Sequence, residues 1–177
     1  MKNQISGMVW EISYFDMCDL LRLDWISGSG KKTNFEEIIK ISKHSIKKGS
    51  KVFIGSDSFI TKKKVNFATA ICLYGGGASS RYFFAREHLP ENNFKVLVTR
   101  ITEEVRRSVD LAEHIMTNHN IKSDNIELHI DVSPFYMKNG TSKFCDMLRG
   151  YVTGAGFECR VKPQAWASQS VADKHSK

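Results

Sequence analysis

Two apolar segments of the chain run into aspartates. Lys51-Val52-Phe53-Ile54-Gly55-Ser56 is short and β-branched and leads to Asp57, and Ile126 to Ile130 leads to Asp131. A strand-end aspartate beside Gly and Ser commonly bonds the local backbone of a turn. Two of them in one α/β sheet point instead to a site, because ligands in such sheets bind beyond the carboxyl ends of the strands. Glu104 sharpens this. At about 100° per residue, Leu97, Ile101, Ser108, Leu111 and Ile115 form one stripe of a long helix, and Glu104 falls inside it while Glu103 points away. A carboxylate on a core-facing stripe is costly unless paired, hydrogen-bonded or coordinated to a metal. Glu104 is therefore either buried against Arg100 or another cation, or a metal ligand. Asp173, in Val171-Ala172-Asp173-Lys174, shares a helix face with Trp166 and Ser170 and by itself reads as an exposed helix charge.

Taken together the acids are Asp, Glu, Asp, Asp, carried by the first strong strand, the long helix, a later strand and the last helix. Mg²⁺ and Mn²⁺ want oxygen ligands. Two such ions about 3.5 to 4 Å apart can clamp the attacking and leaving oxygens of an in-line phosphoryl transfer. The chemistry expected of this set is hydrolysis of phosphodiester bonds in RNA, DNA or a hybrid, with Asp57 and Asp131 central to two ions and Glu104 and Asp173 completing the site. Nearby lysines would hold the flanking backbone. His129 lies two residues before Asp131 on the same strand face, and could orient a ligand or act as an acid, or be a satisfied sheet histidine. His88, beside Glu87, and His175, two residues after Asp173, are further candidates for contacting phosphate or a leaving group.

Other chemistries are excluded. Ser27-Gly28-Ser29-Gly30-Lys31-Lys32 mimics a phosphate loop, but Trp25 and Lys32 stand where Gly and Ser or Thr are needed. His114 and His119 lack the spacing of a helical zinc pair, and no G-x-S-x-G elbow supports a serine esterase. Cys18, Cys72, Cys145 and Cys159 are far apart and read as buried thiols rather than a zinc ribbon or a redox pair.

The elements that must position these residues follow from pattern. Asn34 can cap a helix running to about Lys48, where Gly49 stops it. Strands follow at 51–56, 65–73 and 80–87, joined by a lysine-rich turn and by Gly75-Gly76-Gly77. Then come a helix from about Phe94 to Asn118, a strand at 126–131, a helix at 142–153, a strand at 157–161 and a last helix after Pro163. Short connections make the first three strands antiparallel, and crossover helices make the later ones parallel. The fold class is α/β: a mixed five-stranded sheet, three antiparallel strands and then parallel ones, flanked by helices. The Gly/Ser stretch at 27–32 reads as a linker, giving an N-terminal extension over 1–33 and one domain over 34–177. In the extension Trp10, Ile12, Phe15, Leu20, Leu21 and Leu23 could form an amphipathic helix packing on the domain or on a partner.

With 177 residues, 41% hydrophobic and 25% charged, the composition is that of one globular domain. No apolar run is long enough to span a bilayer and none follows a basic start as in a secretory leader, so a cytoplasmic setting is expected. The 26 Lys and Arg against 19 Asp and Glu leave a net charge of +7, which favours a polyanion such as nucleic acid as partner. Lysines at 31–32, 47–48 and 62–64 carry much of this charge, though they also suit a solvated surface.

The order of elements and acids resembles the ribonuclease H-like fold. Gly55-Ser56-Asp57-Ser58, Arg86-Glu87-His88, Arg100-Ile101-x-x-Glu104 with Ser108, His129-x-Asp131-Val132, Gly150-x-Val152-x-Gly154-x-Gly156-Phe157, and Lys162-Pro163 followed by Val171-Ala172-Asp173-Lys174-x-x-Lys177 closely resemble the YkuK-type family of ribonuclease H-like proteins. The likeness runs from about Asn34 to Lys177, and the tail motif is its most specific part. It implies that Asp57, Glu104, Asp131 and Asp173 bind metal, and it brings Lys162 and Lys174 among the secondary site residues. The family is called nuclease-like mainly from its fold, so a catalytically silent nucleic-acid-binding or scaffold domain is the alternative expectation. The chain departs from the pattern at Phe59, where Gln commonly follows Asp-Ser, and at Ser133, where Gly commonly follows Asp-Val. Neither departure removes a carboxylate.

Overall fold

A computed structural model describes residues 17–137 and 140–177 of the chain. Trp10, Ile12 and Phe15 of the expected N-terminal helix lie outside the described residues. Its continuation is the short helix α1, Met17–Arg22, where Leu20 is fully buried and Leu21 and Leu23 pack against the core.

The strands β1 (Trp25–Ser27), β2 (Lys32–Thr33), β3 (Lys51–Thr61), β4 (Lys64–Tyr74), β5 (Arg81–Pro90), β6 (Ile126–His129) and β7 (Glu158–Arg160) form one sheet in the order β2-β1-β5-β4-β3-β6-β7. β3, β4 and β5 are the antiparallel meander expected, and β6 and β7 add in parallel beside β3. The sheet has seven strands rather than five, because the glycine-serine stretch is a hairpin turn. Gly30 takes φ +82° there and its N–H donates to the Ser27 carbonyl at 2.8 Å. The hairpin is pinned by Trp25, which is fully buried, donates its indole N–H to the Leu20 carbonyl at 3.2 Å and packs on Phe35. Strands of two and three residues carry no readable alternation, which is why composition alone suggested a linker.

Helix α2 (Phe35–Lys47) starts as expected, with Asn34 Oδ1 accepting the Glu37 N–H at 2.9 Å. α3 (Leu97–His119) and α4 (Cys145–Gly154) supply the crossovers. One face of the sheet, with Val52, Ile54, Ile71 and Leu73, meets Ile38, Ile101, Val105 and Leu148 from these helices in the main core. The other face carries a smaller cluster in which Ala70, Cys72 and Phe84 meet Ala167 and Ala172 of a π-helical turn, Ala167–Ala172, that runs into α5, Asp173–Ser176. Cys72, Cys145 and Cys159 are free thiols, the first two buried. Among the described residues no helix is long and apolar enough to cross a membrane.

Gly55 sets how close the last helical segment comes to the sheet. A Cβ there would stand 2.6 Å from the Ser168 nitrogen and 2.9 Å from the Ala167 carbonyl carbon, so only glycine lets the π-helical turn lie on the β3 backbone. Gly55→Ala is expected to lower stability by about 1–3 kcal/mol through overpacking, read as a melting temperature lower by several degrees. An unchanged melting temperature would contradict this account of the contact.

Candidate active site

Asp57 and Asp131 are brought side by side by strand register. Gly55 of β3 pairs in parallel with His129 of β6, and two residues further along each chain stand Asp57 and Asp131. Neither ends its strand as expected. Asp57 lies inside β3, which continues to Thr61 because pairing with β4 runs on through Thr61 and Lys64. β6 stops at His129 and Asp131 belongs to the segment after it. Beyond Gly55, β6 no longer pairs with β3, and the strand edge that this frees lies beside the residues that carry the acids.

Glu104 comes from α3, on the main-core side of the sheet. Ser58 Oγ donates to its Oε1 at 2.5 Å, and Ser108 one turn on donates to Ser56 Oγ at 3.0 Å, so two contacts fix the helix to β3. The helix is held from β5 too. Arg107, 1% exposed, donates to Glu87 at 2.6 Å and Glu103 at 2.9 Å, and its guanidinium lies 4.1 Å from the centre of the Phe67 ring. Asp173 enters from the opposite face with α5, whose Ser176 Oγ donates to Asp57 Oδ2 at 2.7 Å.

Two of the acids are held above the ordinary carboxylate range. Burial raises the Asp57 carboxyl to about 6; the Ser176 hydroxyl opposes this, and the charges of Asp131 and Asp173 add to it. Burial and then the charge of Asp57 raise Glu104 to about 8, against the Ser58 hydrogen bond and the Arg100 guanidinium, with Asp131 adding to the rise. The pairing of Glu104 with Arg100 weighed from sequence is thus one contribution among several. Asp57 feels both Asp131 and Asp173, and Glu104 feels Asp57 and Asp131.

Among the described residues no three of His, Cys, Asp and Glu stand in a ready-made metal-holding group. Side chains of the protein itself occupy the acids instead. Lys162 Nζ lies 2.8 Å from Asp131 Oδ1, and Lys177 Nζ lies 2.7 Å and 2.9 Å from the two oxygens of Asp173. The Lys162 contact is an ion pair without an aligned hydrogen bond, so the buried Asp131 Oδ1 has no hydrogen-bond donor among the described residues. A cluster of carboxylate oxygens, crowded enough to hold protons and with one buried oxygen lacking a donor, suits a hard divalent cation. The residue types match the oxygen donors that Mg²⁺ and Mn²⁺ take.

The secondary candidates divide. His129 accepts the Ala167 N–H at Nδ1 (3.0 Å) and lies 3.1 Å from Glu127 Oε1 at Nε2; burial depresses its pKa, so it is a neutral histidine that ties β6 to the π-helical turn. His175 stacks on Phe84 with ring centres 3.5 Å apart, and burial lowers its pKa. His88 Nδ1 meets Asn66 Oδ1 at 2.7 Å on the exposed sheet, Lys174 is exposed, and Lys162 sits on Asp131. Ser176 and Lys177 were not expected to touch acids. The Ser176 contact links residues 119 positions apart, and no local pattern reports it.

A profile of the ribonuclease H-like family matches residues 33–177, and the chain belongs to that family. It is similar to a protein of Bacillus subtilis (strain 168) named "Uncharacterized protein YkuK", at 22% identity over 166 residues that span 84% of this chain and 94% of the relative. No solved structure matches. The relative bears out the YkuK-type resemblance read from the motifs, and its name carries no activity.

The raised Glu104 carboxyl makes stability fall with pH. Unfolded, it ionises near its ordinary 4.5; folded, it keeps its proton to about 8. The folded state therefore binds more protons in that window, and stability is lost as pH rises through it, by up to about 1.4 kcal/mol per pH unit. Glu104→Gln should flatten the curve of stability against pH between about pH 5 and 8, measured by urea unfolding without divalent metal. Parallel curves for parent and variant would show that Glu104 is not held as described.

Proposed function

We propose that the protein is a metal-dependent nuclease that hydrolyses phosphodiester bonds of RNA or DNA, acting in the cytoplasm. The observation that carries this reading is the convergence on β3 of acids from three further elements: Glu104 of α3 is bonded by Ser58, Asp57 is bonded by Ser176 of the helix that carries Asp173, and the parallel register of β3 and β6 leads to Asp131 beside Asp57. Asp57, Asp131, Glu104 and Asp173 would hold Mg²⁺ or Mn²⁺. When bound, the ions supply charge neutralisation at the phosphate and stabilise the leaving oxygen.

The rest of the mechanism belongs to the protein's own side chains. Glu104, raised to about 8 and so mostly protonated near pH 7 without a cation, releases its proton when positive charge arrives, and Asp57, raised to about 6, is mostly ionised there already, so assembly of the competent site is favoured by rising pH. Ser58 and Ser176 keep the two carboxyls oriented through that change. Lys162, one-third exposed on its side chain and paired with Asp131, can move to a phosphate oxygen of the substrate. The net charge of +7 concentrates a polyanion at the surface.

A second reading, a catalytically silent nucleic-acid-binding or scaffold domain, draws on the lysines and serines that already contact the acids. Labelled single-stranded, duplex, hybrid and branched substrates in Mg²⁺ and Mn²⁺ separate the two. The nuclease reading expects cleavage that falls about 100-fold or more in Asp57→Asn, while substrate binding without divalent metal is unchanged or slightly tighter. Cleavage by the variant at the parent rate would remove Asp57 from the chemistry. No cleavage of any substrate by the parent would favour the silent domain.

A further inference from the structure

The sheet face that carries Asp57 continues, uncovered, past the acids. Side chains alternate along β3, so Phe59 points to the same side as Asp57, about 7 Å further along the strand. Phe59 is 41% exposed, a large apolar ring left in water next to a carboxylate cluster. Register fixes its neighbours: Asp57 pairs with Ala68 and Ala68 with Arg86, while Phe59 pairs with Asn66 and Asn66 with His88. Paired residues share a face, so Phe59, Asn66, His88 and Arg86 form one patch. Arg86 is exposed and makes no ion pair among the described residues; its guanidinium lies 5.5 Å from the centre of the Phe84 ring. The patch ends at the β3–β4 hairpin, where Lys62, Lys63 and Lys64 are exposed and also form no ion pair among the described residues.

We infer that this patch is a platform for an unpaired nucleic-acid strand, with Phe59 stacking on a base and Arg86 and the hairpin lysines holding the flanking phosphates. The inference rests on the nuclease reading for its orientation: a base on Phe59 puts a neighbouring phosphodiester at the acids. It goes further in naming single-stranded nucleic acid as the substrate class. The chemistry favours this occupant over a protein. An exposed aromatic ring on a sheet face that also carries the exposed Arg86 and ends at three exposed lysines matches the stacking and phosphate contacts by which single strands are bound. In a duplex the base faces are already stacked on one another, and Phe59 would have nothing to receive.

The test is binding of fluorescein-labelled oligo(dT), oligo(U) and a duplex of equal length to the full chain in EDTA, followed by anisotropy over a range of salt. Phe59→Ala should weaken single-strand binding by about 5- to 100-fold with the salt slope unchanged, and Phe59→Trp should restore it. Arg86→Ala should weaken binding and reduce the salt slope by about one phosphate contact. Comparing the two oligomers shows whether the platform distinguishes RNA from DNA. Equal binding by Phe59→Ala and the parent, with both folded by melting temperature, overturns the platform. So does a duplex bound more tightly than either single strand. Failure of the nuclease reading looks different: Phe59-dependent single-strand binding with no cleavage in any metal would keep the platform and remove the catalysis.

Discussion

Like charges repel, and this fold spends much of its construction on holding four carboxylates together. One comes from β3, one from the segment that follows its parallel neighbour β6, one from the crossover helix on one face and one from the last helix on the other. Each approach needs its own anchor. Arg107 and the Ser108–Ser56 contact hold α3 at the depth where Glu104 reaches β3. Gly55 lets the π-helical turn lie on the strand backbone, and His129 secures that turn to β6. Without these the acids would relax apart, since separated and solvated carboxylates are lower in energy than crowded, half-buried ones.

The anchors also account for where the protein places its hydrogen bonds. Serine is used at three points of contact with the acids or their carriers: Ser58 on Glu104, Ser176 on Asp57, and Ser108 on Ser56. A hydroxyl can donate to a carboxylate and rotate when its charge changes, so it supports the cluster without supplying a permanent counter-ion. The lysines do the opposite. Lys162 and Lys177 place full charges on Asp131 and Asp173, the two acids nearer solvent. The buried pair is left short of positive charge, with Arg100 opposing the rise at Glu104.

Much of this was readable in the chain. Helical spacing separated Glu104 from Glu103, and the structure puts Glu104 against β3 while Glu103 pairs with Arg106 and Arg107. The meander, the crossovers and the Asn34 cap followed from alternation, loop length and capping chemistry. What escaped has physical reasons. The rest of β3, Ser58-Phe59-Ile60-Thr61, is half-buried to exposed, and its extension depends on pairing with β4 rather than on burial. The N-terminal hairpin is made by one tryptophan reaching the core. His129 could not be assigned from strand position, because its partner on one nitrogen is the backbone of Ala167, 38 residues away. The Ser176 contact with Asp57 is longer-range still.

The account stands on the cluster being a cation site. Free Mn²⁺ gives a room-temperature paramagnetic resonance spectrum that broadens beyond detection on binding, so titrating the metal-free chain near pH 8 counts bound ions without any substrate. The parent should remove Mn²⁺ from the free signal, and Asp57→Asn combined with Asp131→Asn should leave it at the level of buffer while keeping the fold. A parent that leaves the free Mn²⁺ signal unchanged, or a double variant that binds as well as the parent, would contradict the account.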